Sequence, residues 1–401
     1  MTETIGNELD VPANWDRSGL PGWAYFSEDL FSLEQEVLFR QHWQFVGHVN
    51  TIRDVGSYIT LDIANERGLV IKGSDGKIRA FHNLCRHRGS RVVPDEKGKC
   101  NKSIVCPYHG WTYGLDGTTR GVARKETFPN IDRDKLGLIP LNMEIWHGFI
   151  FVKFKDSSQP TVKEIMARFD HEIVDYGLEK MIPVPESEWS EIIDVNWKSV
   201  RDVDNEGYHV KQAHPGLEEL YGQNYNDEPF QNGTSRSVGI FNKKPSKRWS
   251  VRNYLKLLPK VDKLSLESQN RWLYAGMFPN LVFGFYPDSV IYYMEIPISA
   301  TQTIQRGGAL RYPDETRDLK IARYLSGRID RDTAKEDQLL TIWSCEATKS
   351  SAYSGIILSD LEYGVKTYHD HLRKIMPVLE LQDPPVEGKI ASINNEMINS
   401  I

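Results

Sequence analysis

The sequence has little cysteine: four residues in 401, at Cys85, Cys100, Cys106 and Cys345. Four thiols in a chain of this length do not make a disulfide scaffold. There is no run of about 18 apolar residues, so no membrane span is expected. The start, MTETIGNELDVPANWD, is polar and acidic with no apolar core, so no signal peptide is expected. There is no strong basic run and the formal net charge is −6, which argues against a nucleic-acid partner. Repeats and low-complexity tracts are also missing. What is present is ordinary for a globular protein: 40% hydrophobic and 26% charged residues. The length suggests two domains. Three of the four cysteines fall in one short window with histidines, which points to metal and to a reducing cytoplasm.

The pattern along the chain predicts an α+β protein. A helix is expected over 27–43, where Leu30, Leu33, Val37 and Leu38 recur at helical spacing. Short strands follow. Segments 68–72 and 77–81 flank Ser74-Asp75-Gly76, a hairpin signal, and a second turn lies at Leu115-Asp116-Gly117. Residues 144–154 read as a strand pair or one long strand. Helices are expected over 161–177, 196–214, 331–347 and 358–376, and β structure over 272–298. The expected division is a helical segment at 1–44, a small all-β domain at 45–155 and a larger α+β domain at 156–401.

Two constellations carry chemistry. In the first, Cys85-Arg86-His87 is followed by Cys106-Pro107-Tyr108-His109. Thiolates and imidazoles suit zinc or an iron–sulfur cluster. Zinc sites more often pair thiol with thiol on one loop. Here each loop carries one Cys and one His, which fits two Cys on one iron and two His on the other. Two loops at hairpin tips could present these ligands, with Gly89, Pro107 and Gly110 shaping tight turns. Cys100 is expected to be a non-ligand thiol and Cys345 a core residue on a helix. The segments CRHRG and CPYHGWTYGLDG resemble the Rieske motif of the aromatic-ring-hydroxylating and related oxygenases.

The second constellation is Asn196-Trp197-Lys198, then Glu206-Gly207-Tyr208-His209, then His214-Pro215. Two histidines five apart do not share a face of a regular helix. They converge only if the helix is distorted or ends between them, and Pro215 favours an ending at His214. Alone, the pair reads as two unrelated histidines. Together with N-W-K, it resembles the mononuclear-iron motif of the same oxygenases.

The resemblance implies the following. The all-β domain would precede a helix-grip catalytic domain built on an antiparallel sheet. Cys85, His87, Cys106 and His109 would hold a [2Fe–2S] cluster, and His209, His214 and a carboxylate would hold Fe(II) beside bound O₂. The carboxylate is expected at Asp337 in the step Glu336-Asp337, although acidic residues near a helix start often only complement its dipole. Asp360 is the reserve. Glu206 would bridge a cluster histidine of one subunit to His209 of the next in a head-to-tail homotrimer, and Asp202 or Asp204 could share that role. Electrons would come from NAD(P)H through a separate reductase or ferredoxin, because the chain shows no flavin or nicotinamide fingerprint. Glu206 at this place resembles the carnitine and betaine monooxygenase branch, which suggests a small N-methylated substrate; ring hydroxylation of an aromatic acid is the alternative. An electron carrier without catalysis and a zinc-stabilised scaffold are the remaining readings. Trp272, Phe278, Phe283, Phe285, Tyr286, Tyr292 and Tyr293 are either pocket walls or alternating core positions.

Overall fold

The computed structural model describes residues 11–400; the first ten residues of the expected 1–44 segment lie outside it. The chain forms two compact units. One comprises residues 35–164 and 178–183. The other comprises the residues through 34, 165–177 and those from 184 on.

The first unit is built from ten short strands. Strands β1 (Gln44–His48), β2 (Ser57–Ile63), β3 (Glu66–Lys72), β4 (Ile78–His82) and β5 (Lys97–Lys99) are followed by β6 (Ser103–Val105), β7 (Thr112–Gly114) and β8 (Thr119–Gly121). Then come β9 (Asn142–Trp146) and β10 (Phe149–Lys153). They form three sheets, ordered β4-β3-β2-β5, β6-β7-β8 and β1-β10-β9. The stretch 144–154 is a pair, not one strand. His147 and Gly148 both take positive φ, the geometry of a tight hairpin whose twist matches its strands. Gly117 turns β7 into β8 at φ +83°, and a Cβ there would meet Phe81 at 2.4 Å. The core gathers Leu69, Ile71, Ile104 and Tyr113 around Cys85, Cys106 and Trp111.

The second unit holds a seven-stranded sheet. Its strands are β11 (Ile182–Ile193), β12 (Tyr225–Gln231), β13 (Thr234–Ile240), β14 (Arg271–Met277), β15 (Leu281–Phe285), β16 (Val290–Ser299) and β17 (Gln302–Arg311). From β12 to β17 each strand pairs antiparallel with the next, and β11 lies outside β17. The helices that matter are α1 (Glu28–Glu34), α2 (Trp197–Asp204), α3 (Val210–Ala213), α4 (Pro215–Tyr221), α5 (Trp249–Leu257), α6 (Arg317–Ala347) and α7 (Tyr363–Ile375). Val210, Leu217, Tyr221, Tyr254, Leu325 and Ile329 from these helices pack with Trp272 and Tyr286 of the sheet region.

Four helices differ from expectation; the one over 196–214 breaks between Asp204 and Val210. The one over 27–43 is α-helical only over Glu28–Glu34 and continues as a π-helix over Gln35–Phe39. Residues 161–177 break into short α and 3₁₀ pieces. The helix expected to begin at 331 begins at Arg317, capped by the Thr316 hydroxyl, which accepts from the Leu319 N–H.

The N-W-K segment has a local cause. The Asn196 side chain accepts from the Lys198 N–H and caps α2. The Trp197 indole and the Lys198 ammonium both donate to Glu34, and neither Lys198 nor Glu34 side chain is exposed. A buried pair stripped of one partner leaves an uncompensated charge. Lys198→Met is therefore expected to lower unfolding stability by ~3–5 kcal/mol, read as a lower urea midpoint for the unit that carries α2.

Candidate metal centres

In the first unit, two loops take the same turn. In each, the cysteine N–H donates five residues ahead: Cys85 to the Ser90 carbonyl at 2.7 Å, Cys106 to the Trp111 carbonyl at 2.8 Å. In each, a glycine four residues on donates back to the cysteine carbonyl: Gly89 at 2.9 Å and Gly110 at 3.0 Å. Both glycines need positive φ, +73° and +71°, which explains their presence. The second loop is the tip of the β6–β7 hairpin. The first is not at a hairpin tip, contrary to the expectation for both loops, because β4 and β5 lie on opposite edges of their sheet.

These turns bury both thiols, each cysteine being 2% exposed, and leave His87 half-buried and His109 exposed. The His87 and His109 rings lie 4.6 Å apart by their centroids, and His87 stacks on Trp111 at 5.1 Å. Burial raises the Cys106 thiol pKa, while N–H groups of Tyr108 and His109 directed at its sulfur act to lower it. The Tyr113 hydroxyl lies 3.3 Å from the Cys85 sulfur. Such donors stabilise thiolate and reduced-cluster charge. His87 Nδ1 is buried with no hydrogen-bond partner, as a nitrogen waiting for a metal would be. Two enclosed thiols and two imidazoles with an orphaned nitrogen fit a [2Fe–2S] cluster. Cys100 is half-buried, and burial raises its pKa.

In the second unit, α2 stops at Asp204 and the chain runs irregularly through Glu206 and Gly207 before α3 begins after His209. A Cβ on Gly207 would meet the Tyr225 ring at 2.1 Å, so the irregular stretch needs glycine there. Pro215 opens α4, and His214 takes φ −116°, ψ 77° between the two helices. That break brings the histidines together, with Nε2 atoms 3.0 Å apart. Asp337 Oδ1 lies 2.8 Å from His214 Nε2 and 3.4 Å from His209 Nε2. Among the described residues this is the group of three that could hold a metal. Donor atoms on one face of an octahedral site stand about 3 Å apart, given bonds near 2.1 Å.

The far nitrogens are also occupied. His209 Nδ1 bonds to Glu206, which accepts the His209 backbone N–H too. His214 Nδ1 lies 2.9 Å from Glu336. When both Nδ1 atoms donate to carboxylates, both Nε2 atoms turn lone pairs toward each other and toward Asp337. Three electron-rich atoms facing one point fit a cation there. Burial opposes charge on His209, yet hydrogen bonds to Asp337 and Glu206 outweigh it and raise its pKa to about 10, so that without a cation a proton sits on Nε2 facing Asp337, and a bound cation would take that proton's place. Burial likewise opposes the Asp337 carboxylate, and the two imidazoles overcome it and lower its pKa.

Asp337 stands well inside α6, so its acidity does not serve a helix start. Asp360 is elsewhere, paired with Arg17 at 2.7 Å and with the Trp15 indole. Asp202 is bound by Tyr25 and by His369 at 2.7 Å. Asp204 pairs with Arg201 at 2.9 Å. The sequence reading assigned Glu336 no role; the acidic doublet with Asp337 was the available signal. Of the aromatic set, Trp272, Phe278, Phe283, Phe285 and Tyr286 are buried, whereas Tyr292 and Tyr293 are half-buried. Cys345 is buried on α6.

Comparison with known proteins accords with this arrangement. Residues 170–378 match the family model of the ring hydroxylating alpha subunit (catalytic domain), and residues 42–132 match the Rieske [2Fe-2S] domain. The glycine betaine monooxygenase oxygenase subunit of Pseudomonas aeruginosa (strain UCBPP-PA14) is 35% identical over 198 residues, 49% of this chain and 45% of that protein. The chain thus spans about half the length of such relatives where it matches them. The chloroplastic choline monooxygenase of Spinacia oleracea is 26% identical over 81% of this chain and 77% of its own. A solved structure of the quaternary ammonium Rieske monooxygenase CntA shares the fold at TM-score 0.75 and 24% identity, covering 89% of this chain and 95% of that one. No helix among the described residues is long and apolar enough to cross a membrane.

Proposed function

The chain belongs to the ring-hydroxylating alpha-subunit family of Rieske non-haem iron oxygenases, and on that premise we propose that it oxidises a small quaternary ammonium or related N-methylated compound. One atom of O₂ enters a substrate C–H bond and the other leaves as water, with a pair of electrons from a separate reductase or ferredoxin and a pair of protons. Hydroxylation at an N-methyl carbon would release formaldehyde; hydroxylation elsewhere would leave an alcohol. The observation that carries the reading is the convergence of His209, His214 and Asp337 with both Nδ1 atoms held by carboxylates. An electron carrier has no use for such a site. The choice of substrate is supported by relatives named for glycine betaine and choline, and the aromatic acid becomes the lesser reading.

Cys85, His87, Cys106 and His109 would hold the cluster, which supplies electrons singly. His209, His214 and Asp337 would hold Fe(II), which would supply the O₂ chemistry beside the substrate. Glu206 and Glu336 fix the imidazole tautomers, so that each Nε2 presents a lone pair. The sheath of Trp111 and Tyr113 keeps water from the thiols. A cytoplasmic homotrimer, with each cluster serving the neighbouring iron, completes the proposal.

Metal analysis tests it. Anaerobically purified protein is expected to carry about three irons and two acid-labile sulfides per chain. Stoichiometric zinc without sulfide would refute the reading. Supplied with a surrogate reductase, the protein should consume O₂ with choline or glycine betaine and not with benzoate.

A further inference from the structure

The charge of the chain is unevenly placed. Residues 243–263 carry eight lysines and arginines and one acid, Asp262, in a chain whose net charge is −6. No more than two of the eight are consecutive, so only the fold gathers them. All eight are exposed. Lys260 pairs with Asp262 at 3.3 Å, while Lys243, Lys244, Lys247, Arg248, Arg252 and Lys256 have no ion pair among the described residues. The segment is pinned from below. Half-buried Glu219 accepts from the Ser246 hydroxyl and from the N–H groups of Lys247 and Arg248, the last two at 2.7 and 2.9 Å. Helix α5 follows, and Val251 and Tyr254 on its inner side are fully buried in the core. Arg248, Arg252 and Lys256 recur every four residues and line its outer side.

This arrangement does not serve stability. Like charges four apart on a helix repel. Lys247 and Arg248 stand at the positive end of the helix dipole, and the Arg248 side chain caps none of the N–H groups there. Among the cations, Trp249 is 54% and Leu257 42% exposed. The Arg328 guanidinium lies over the Trp249 ring, 5.7 Å from its centroid. An exposed tryptophan set among cations on a fixed backbone suits a protein-docking surface, where aromatic anchors hold and charge steers.

We infer that this patch docks an acidic surface of the protein that delivers electrons to the chain. Its charge selects an anionic partner, and its construction selects a protein. A lipid bilayer takes up the apolar face of a helix, and that of α5 is spent on the core. A long polyanion would meet the net negative charge of the rest of the chain, whereas an acidic protein needs to touch only the patch. The patch also begins at the metal centre. Arg248 and Glu336 line one small recess, and Glu336 holds His214. In the proposed trimer the neighbouring cluster comes to Glu206 and His209 of this same centre, so a donor seated on the patch stands near the cluster it reduces. One electron leaves the donor for that cluster, and no bond forms or breaks. The inference rests on the reading of the chain as an oxygenase with a separate donor, and gives that donor its place.

The probe is a plant-type [2Fe–2S] ferredoxin, a strongly acidic one-electron donor whose potential lies below that of a histidine-ligated cluster. Calorimetric titration of the full chain, both metal centres in place, with oxidised ferredoxin should show binding that weakens steeply with salt. Lys247→Glu, Arg252→Glu and Lys256→Glu together should cost about tenfold or more in affinity and in the second-order rate of cluster reduction by reduced ferredoxin. Glutamine at the same three positions should cost less. Lys349→Glu, Lys374→Glu and Lys389→Glu, exposed and outside the segment, change the net charge equally and should leave both values nearly unaltered. Dithionite should reduce the cluster of every variant alike, which shows that each is intact. Binding that is absent or insensitive to salt, equal losses in the two glutamate triples, or no loss in the first would overturn the assignment. So would binding to vesicles of equal parts phosphatidylcholine and phosphatidylserine that the first triple abolishes while its ferredoxin affinity stays unchanged. An unaltered chain with no cluster for dithionite to reduce would instead overturn the oxygenase reading.

Discussion

Asp337→Ala is expected to empty the mononuclear iron site and reduce turnover to the limit of detection, with the visible spectrum of the cluster unchanged. The donor set explains the severity. An open iron site keeps positions for O₂ and substrate and has no spare protein ligand. Asp337 Oδ1 stands within 3.4 Å of both histidine Nε2 atoms, and among the described residues no other carboxylate joins that group. His209→Ala and His214→Ala should behave alike. Glu336→Gln should be milder, on the order of 10–100-fold weaker iron retention, because it alters only the partner of His214 Nδ1. Asp360→Ala should keep iron and activity, since Asp360 is committed to Arg17 and Trp15 at the surface. Iron content by mass spectrometry, alongside cluster absorbance, separates these outcomes. An Asp337→Ala protein that retains its third iron would sink the assignment.

The cluster loops were legible in the sequence because their chemistry is local. A Cys, a His and a positive-φ glycine within six residues define each turn, and spacing alone exposes them. The break at His214 was legible for the same reason, since Pro215 constrains the residue before it. The sheet order that sets β4 apart from β5 was not legible, because register and neighbour choice depend on contacts far away in sequence. Nor was the first half of α6. Leu319, Ala322, Leu325 and Ile329 do recur at helical spacing, but Gly327 interrupts the pattern and weakens propensity by about 1 kcal/mol. The role of Glu34 was hidden for a further reason. A buried carboxylate looks like any surface acid until its partner is known, and the partners of Glu34, Trp197 and Lys198, stand more than 160 residues away in the chain.

Glu206→Gln is expected to separate electron transfer from metal binding. Glu206 uses its carboxylate twice within its own chain, accepting from the backbone N–H and from Nδ1 of His209. Its side chain keeps 11% of its surface exposed, so an oxygen lone pair remains for a donor from outside. In the proposed trimer that donor is the ring N–H of His109, or of His87, on the neighbouring subunit. Glutamine retains the size and one acceptor oxygen. The carboxylate receives the two His209 protons on separate oxygens, so the glutamine carbonyl can keep the Nδ1 proton while the NH₂ replaces the second oxygen, leaving one acceptor fewer for the His209 backbone N–H and for the donor at the interface. Iron should therefore stay bound and the cluster should still reduce. Turnover should fall by about 100-fold or more, the scale on which outer partners of metal ligands act. The decisive measurement is single turnover: the reduced cluster, mixed with substrate and O₂, should reoxidise slowly in Glu206→Gln and rapidly in the unaltered protein. Two results would refute this route. One is rapid reoxidation in the variant. The other is loss of iron together with activity, which would make Glu206 a support for His209 alone. A fully active monomer would remove the neighbouring subunit from the path altogether.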